Sequence, residues 1–175
     1  MTRNVTEKVG PRINGSSHIP SLLSQLTNRL ASGSSDTYLR LFGIGINDFR
    51  ILTAIIKWPG CIATFVADRV GIHKAIVSRS LRTMEGAGFL TGGPETRERK
   101  LYLTDEGVQL HDRIAQIAMQ RERLLLKGLT RTEVAQLREL LRRMIDNLPE
   151  VNAYDPGERR AELVDDESYP VRQLK

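Results

Sequence analysis

The chain has 175 residues, with 26 Lys and Arg against 21 Asp and Glu, a formal net charge of +5, and 40% hydrophobic residues. That length and balance describe one globular domain with room for an added oligomerisation layer, and they include no run of about 18 apolar residues to span a bilayer. A single cysteine, Cys61, excludes an internal disulfide framework and points to a reducing cytoplasm, while the charged N-terminus (Arg3, Glu7, Lys8, Arg12) lacks the apolar core of a secretory signal. The charge is uneven. Residues 150–175 carry seven acids and four bases, which leaves 22 bases and 14 acids, a net of +8, on the rest of the chain. Arg69 to Lys100 alone holds seven bases and three acids, the footprint of a phosphate-binding surface.

Taken in chain order, residues 1–17 are polar and rich in Gly, Ser and Asn, as in a flexible extension. Leu22, Leu23, Leu26 and Leu30 predict a first helix from Ile19, with Pro20 in its first turn. Ser32-Gly33-Ser34-Ser35 is expected to interrupt it before Tyr38, Leu39, Leu41 and Phe42 resume the apolar stripe. A second helix opens at Gly45 and is stopped by Pro59-Gly60, with Phe49, Leu52, Ile55 and Ile56 as its core face. A third, short helix is predicted from about Ala63 to Val70, with a turn at Gly71. A fourth runs from about His73 to Ala87 on an apolar face of Val77, Leu81 and Met84.

Phe89-Leu90-Thr91 and Lys100 to Thr104 predict two short strands, with Gly92-Gly93-Pro94 breaking the chain between them. Thr104 is a plausible N-cap for a long helix along Leu110, Ile114, Ile117, Ala118, Leu124 and Leu125. Thr130-x-x-Glu133 is a capping box that opens the last helix, whose stripe is Val134, Leu137, Leu140, Leu141, Met144, Ile145 and Leu148, with Pro149 expected to end it. The fold class is therefore mainly α with a small β-wing: a winged helix-turn-helix, about residues 45–104, flanked by long dimerisation helices at about 19–42 and 105–148. These lie in a domain of residues 18–149, followed by an acidic tail, 150–175, whose Leu163, Val164, Tyr169, Val171 and Leu174 would allow it to embrace a partner subunit.

The fourth helix and the wing carry the chemistry. With Val77 set at zero on a wheel of about 100° per residue, Ala75, Ser78, Arg79 and Arg82 fall on the far side. That face suits a DNA major groove: Arg for guanine edges and phosphates, Ser for either, Ala for a thymine methyl. Taken alone, it would equally describe an amphipathic helix with a solvated charged face. Arg97, Arg99 and Lys100 then load the hairpin, and a narrow minor groove favours an inserted Arg. Lys74 would hold phosphate. The flanking stripes exceed what a winged helix of about 70 residues needs for its own core, so a two-fold dimer is expected to bury them.

The segments FGIGINDFRIL, ADRVGIHKAIVSRSLRTMEGAGFL and RERKLYLTDEG resemble the MarR family of bacterial transcription regulators, over about Ile19 to Pro149. The resemblance implies a cytoplasmic homodimer that binds a palindromic operator in double-stranded DNA, more often as a repressor. Recognition helices would enter major grooves and wings the flanking minor grooves, with half-sites ~10 bp apart. The family's Asp-x-Arg wing motif falls on Glu95-Thr96-Arg97, which makes Arg97 the minor-groove residue and Glu95 its longer brace on a wing a few residues short. Where members usually carry Ser or Thr, this chain has His73, placed to touch a phosphate; the usual Thr is Ile76, which would meet a thymine methyl or pack. The resemblance also implies release by a small aromatic effector between the DNA-binding lobe and the dimer base, for which Tyr38, Arg40 and Arg50 are the candidates.

Other function classes find less to stand on. His18, His73 and His111 are scattered, so metal-ligand spacing is absent, and no P-loop, dinucleotide fingerprint or nucleophile elbow occurs. No enzyme activity, cofactor or metal is expected. Two alternatives remain: a winged helix used as a protein-interaction module, and a thiol-based redox-sensing regulator using Cys61. The first would not need arginines converging on one face. For the second, only Lys57 is a nearby base.

Overall fold

The computed structural model describes residues 13–92 and 99–157. The chain divides into two compact units, Met1–Arg121 and Glu122–Lys175. In the first unit the elements are α1 (Ile19–Phe42), α2 (Ile46–Lys57), α3 (Ala63–Val70), α4 (Lys74–Gly86), β1 (Leu90–Gly92) and β2 (Leu101–Leu103), then α5 (Asp105–Leu125), which runs on into the second. The second continues with α6 (Arg131–Asp146) and α7 (Leu148–Ala153).

The core of the first unit follows the expected faces of α4 and part of that of α2, where Leu52 and Ile55 are buried as expected, Phe49 and Ile56 are only half-buried, and Ile51 and Ala54 are buried as well. Ile51, Leu52 and Ile55 of α2, Val66 and Ala67 of α3, and Val77, Leu81 and Met84 of α4 are buried together with Leu90, Leu101, Leu110 and Ile114. Each fully buried aliphatic side chain contributes about 1.5–3 kcal/mol against the cost of ordering the chain. Gly71 caps α3 at φ +67°, where a side chain would be strained, and its N–H donates to the Ala67 and Asp68 carbonyls. That left-handed residue turns α3 into α4, and α2, α3 and α4 pack on one another as a helix-turn-helix with its supporting helix.

Two sequence expectations change. α1 runs unbroken through Ser32-Gly33-Ser34-Ser35. Ser34 is buried there, and a Cβ on Gly33 would stand 3.2 Å from Nη2 of Arg121, so close packing outweighs poor helix propensity. Pro149 does not end the helical region: it sits in the first turn of α7, where its missing N–H is no loss, so the acidic tail drawn from residue 150 starts inside a helix. Cys61 is half-buried after α2. It bridges Leu101, whose N–H donates to the Cys61 carbonyl at 2.9 Å while Gly60 N–H donates to the Leu101 carbonyl at 2.9 Å.

The wing root is tied down at several points. β1 and β2 pair antiparallel in the register Leu90–Leu103, Thr91–Tyr102 and Gly92–Leu101. Thr104 caps α5 by accepting Gly107 N–H at 3.0 Å, and its hydroxyl donates to the Gly88 carbonyl at 2.7 Å. In the second unit, the Thr130 hydroxyl accepts Glu133 N–H at 3.2 Å and Glu133 accepts Thr130 N–H at 2.7 Å, the reciprocal capping box. No side chain of α6 is buried, and Leu137, Leu140, Met144 and Ile145 stand exposed along it.

Candidate nucleic-acid interface

α4 positions the candidate DNA face by burying its opposite side. With Val77, Leu81 and Met84 in the core, Lys74, Ala75, Ile76, Ser78, Arg79 and Arg82 are all exposed. Ile76 is 40% exposed, which decides between its two readings: it is offered outward and not packed inside. Among the described residues no acid pairs with Lys74, Arg79 or Arg82, so all three cations are open to an external anion. His73 replaces a hydroxyl residue as the N-cap, its Nδ1 accepting Ala75 N–H at 3.3 Å. The imidazole thus stands at the positive end of the α4 dipole, beside Lys74.

Thr83, one turn beyond Arg79, is a further exposed polar group on this helix that the wheel did not single out. Ile76, Arg79 and Thr83 line one side of a cavity of about 270 Å³, and Ser35, Ile46 and Asp48 line the other. Asp48 there accepts Gly45 N–H at 2.8 Å, which caps α2.

The wing divides its candidates. Arg97, with Glu95 and Thr96, lies outside the described residues. Lys100 is exposed. Arg99 is turned inward: its Nη2 pairs with Oε1 of Glu85 near the end of α4, its side chain is 12% exposed, and its Nε is buried without a hydrogen-bond partner. In this geometry Arg99 fastens the wing to the recognition helix and is not extended toward a groove. The two residues are 14 apart, so no helical or strand periodicity could have paired them from sequence.

The expected effector residues differ in their surroundings. Tyr38 is 2% exposed and packs edge-on against Phe49 with centroids 5.5 Å apart; Phe49 in turn stacks on His111 at 5.5 Å. Its ring is a core element linking α1, α2 and α5. Arg40 is exposed in the last turn of α1, where a cation favours the helix dipole, and Arg50 is half-buried. Cys61 is half-buried, and burial pushes its thiol above the usual value, an effect partly offset by a backbone hydrogen bond. That is the opposite of the lowered thiol that a peroxide sensor uses. Among the described residues no cluster of His, Cys, Asp or Glu could hold a metal ion, and no helix is long and apolar enough to cross a membrane.

Comparison with known proteins agrees with this geometry. A family model described as "MarR family" matches residues 44–100, the span from the start of α2 to the wing. YwaE of Bacillus subtilis (strain 168), described as an uncharacterized HTH-type transcriptional regulator, is 28% identical over 133 residues, covering 74% of this chain and 78% of that protein. A MarR/EmrR family transcriptional regulator from Acinetobacter sp. ADP1 superposes with a TM-score of 0.73 at 27% identity, over 79% of this chain and 99% of that one. MepR of S. aureus, solved in complex with DNA, shares the fold at a TM-score of 0.65 and 18% identity, over 77% of this chain and 99% of that one. With a helix-turn-helix whose cationic face is open, a wing rooted beside it, and these matches over the same elements, the chain is similar to the MarR family of DNA-binding transcription regulators, whose family model covers its residues 44–100.

Proposed function

We propose that the protein is a cytoplasmic, homodimeric repressor that sits on a palindromic operator, with one α4 in each of two major grooves. The observation that carries this reading is the face of α4, where Arg79, Arg82 and Lys74 are exposed and unpaired by any acid among the described residues. Arg79, Ser78 and Arg82 read or clamp the major groove, Ala75 and Ile76 supply apolar contacts, and Lys74 and His73 hold phosphate. Arg97 reaches the minor groove, with Lys100 on the adjacent backbone and Arg99 bracing the wing from behind.

Dimerisation is supported by exposed apolar side chains in both units: Ile19, Leu22 and Leu26 on α1, and Leu137, Leu140, Met144 and Ile145 on α6. A surface helix that buried none of such a stripe would be unusual in a lone monomer. Release by a small aromatic effector, with Tyr38, Arg40 and Arg50 as its candidate contacts, completes the reading.

Fluorescence anisotropy with a labelled operator, titrated with salt, tests the reading. Arg82→Ala, if Arg82 contacts phosphate, lowers the slope of log affinity against log salt by about 1 and weakens all sequences alike. Arg79→Ala, if Arg79 reads a base, costs about 1–3 kcal/mol on the operator and less on unrelated DNA. Variants that bind as the wild type does at physiological salt overturn the assignment of α4.

A further inference from the structure

Between α2 and α3 lies an open-sided hollow whose whole lining comes from one continuous stretch, Lys57 to Phe65. Trp58, Pro59, Ile62 and Phe65 give it an apolar floor. The Trp58 and Phe65 rings meet edge-on with centroids 5.4 Å apart, so two bulky side chains hold each other in place. Two cations stand over these rings. Lys57 has its Nζ 4.5 Å from the Trp58 centroid, and the Arg69 guanidinium lies 5.8 Å from Trp58 and 5.2 Å from Phe65. Both cations are exposed, and neither pairs with an acid among the described residues. Asp68, the acid next to Arg69 in sequence, is not part of the lining.

A small-molecule site surrounds most of its ligand. This lining has one wall, with no residue from any other part of the chain, so it suits a larger body that brings the opposite wall with it. Aromatic side chains beside an Arg are also the composition of a protein-binding hot spot. Cation–π contact holds Lys57 and Arg69 in position before a partner arrives, which lowers the side-chain entropy lost on ion pairing. The sign of the charge selects the partner: two positioned cations, with no acid in the lining, favour carboxylates and disfavour a basic chain. We propose that the turn between α2 and α3 is a docking surface for an acidic segment of another protein. One apolar side chain of that segment sits on Trp58, Ile62 and Phe65, and flanking carboxylates pair with Lys57 and Arg69. No lining residue belongs to α4, β1 or β2, so this surface and the DNA face use different residues, and the proposal stands whichever way α4 is used.

A pool of random peptides displayed on phage, panned on the full chain, tests it. The double variant Lys57→Gln/Arg69→Gln is the counter-selection; both side chains are exposed in the last turns of their helices, and circular dichroism and thermal unfolding check that the variant folds. Peptides that prefer the wild type are expected to carry several Asp or Glu around a Leu, Ile or Phe. Trp58 is the one tryptophan in the chain, so its emission titrates a tryptophan-free enriched peptide without a label. That emission should change saturably. Replacing the acids of the peptide by their amides, or both cations of the protein by Gln, should raise the Kd about fivefold, the loss of exposed ion pairs. The proposal is overturned if no peptide prefers the wild type, if the enriched peptides are neutral or basic, if Trp58 emission does not saturate, or if neither replacement moves the Kd. It is equally overturned if Trp58 emission changes with the concentration of the protein alone and the double variant abolishes that change, since a second copy of the chain would then cover the surface.

Discussion

Gly107 offers a sharp test of how the wing is held. It lies in the first turn of α5, buried against the strand that enters the wing. A Cβ at that position would overlap the Phe89 carbonyl oxygen, stand 3.1 Å from the carbonyl carbon and 3.4 Å from Cβ of Leu103. Carbon pairs rest at about 3.5–4.0 Å, so the first clash cannot be relieved without moving backbone. The backbone in question is pinned, because Phe89 O accepts Thr104 N–H at 3.2 Å and Phe89 N–H donates to Met84 at 2.9 Å. Overpacking of this kind costs about 1–3 kcal/mol, and the absence of a yielding side chain puts Gly107→Ala in the upper half of that range. At about 2–4 °C per kcal/mol for a chain of this size, the melting temperature falls by ~4–12 °C. Gly86, at the end of α4, is the matched control: a Cβ there meets nothing within 4 Å. Gly86→Ala is therefore neutral or stabilising by about 0.5–1 kcal/mol through lower chain entropy. Thermal and urea unfolding of the two variants side by side decides the matter. Equal stability of Gly107→Ala and wild type would refute the packing of α5 on the wing root.

Glu85→Ala should strand the mostly buried guanidinium of Arg99, lowering stability by about 1–3 kcal/mol in urea unfolding and weakening operator binding through the wing; unchanged values for both would remove the bracing role. Cys61→Ser should retain DNA binding, and wild-type affinity should be insensitive to hydrogen peroxide, since the thiol is held protonated; a loss of binding on oxidation would restore the redox reading. Thr130→Ala should cost about 1 kcal/mol of α6 stability by removing the cap. The Glu133 carboxyl is held below its usual value by hydrogen bonds from the Thr130 backbone and side chain. Its contribution is thus fully present above the unfolded-state value and lost as pH falls through the lowered folded one. Amide exchange at the start of α6 should accelerate on acidification in the wild type, and acid-insensitive exchange there would contradict the capping box.

Much of the fold was legible because burial in this chain follows simple periods. Val77, Leu81 and Met84 recur at helical spacing and are buried, so the exposed side of α4 could be read off before any coordinates. Ala63–Val70 and the Thr130–Glu133 box are likewise local signals, complete within one helix. What escaped the sequence was decided over distance. The Ser32–Ser35 stretch looks like a break until Arg121 is seen beside Gly33. Cys61 pairs with Leu101 across 40 positions in a segment too short to show strand alternation, so its partner could not be read from the sequence. Arg99 belonged to the basic cluster by composition, and only the fold shows that Glu85 claims it. Tyr38 showed the same limit, since an aromatic at a helix junction is a ligand contact or a core side chain depending on neighbours such as Phe49.

The most direct test of the central claim is to recover the duplexes that the full chain binds from a random DNA pool at about physiological ionic strength, where weak counterion-driven binding is suppressed. The account predicts enrichment of a two-fold symmetric site with half-sites ~10 bp apart, weakened and relaxed at one base of each half-site for the Arg79→Ala protein. Recovery of no enriched sequence, or of one that Arg79→Ala enriches equally well, would contradict it.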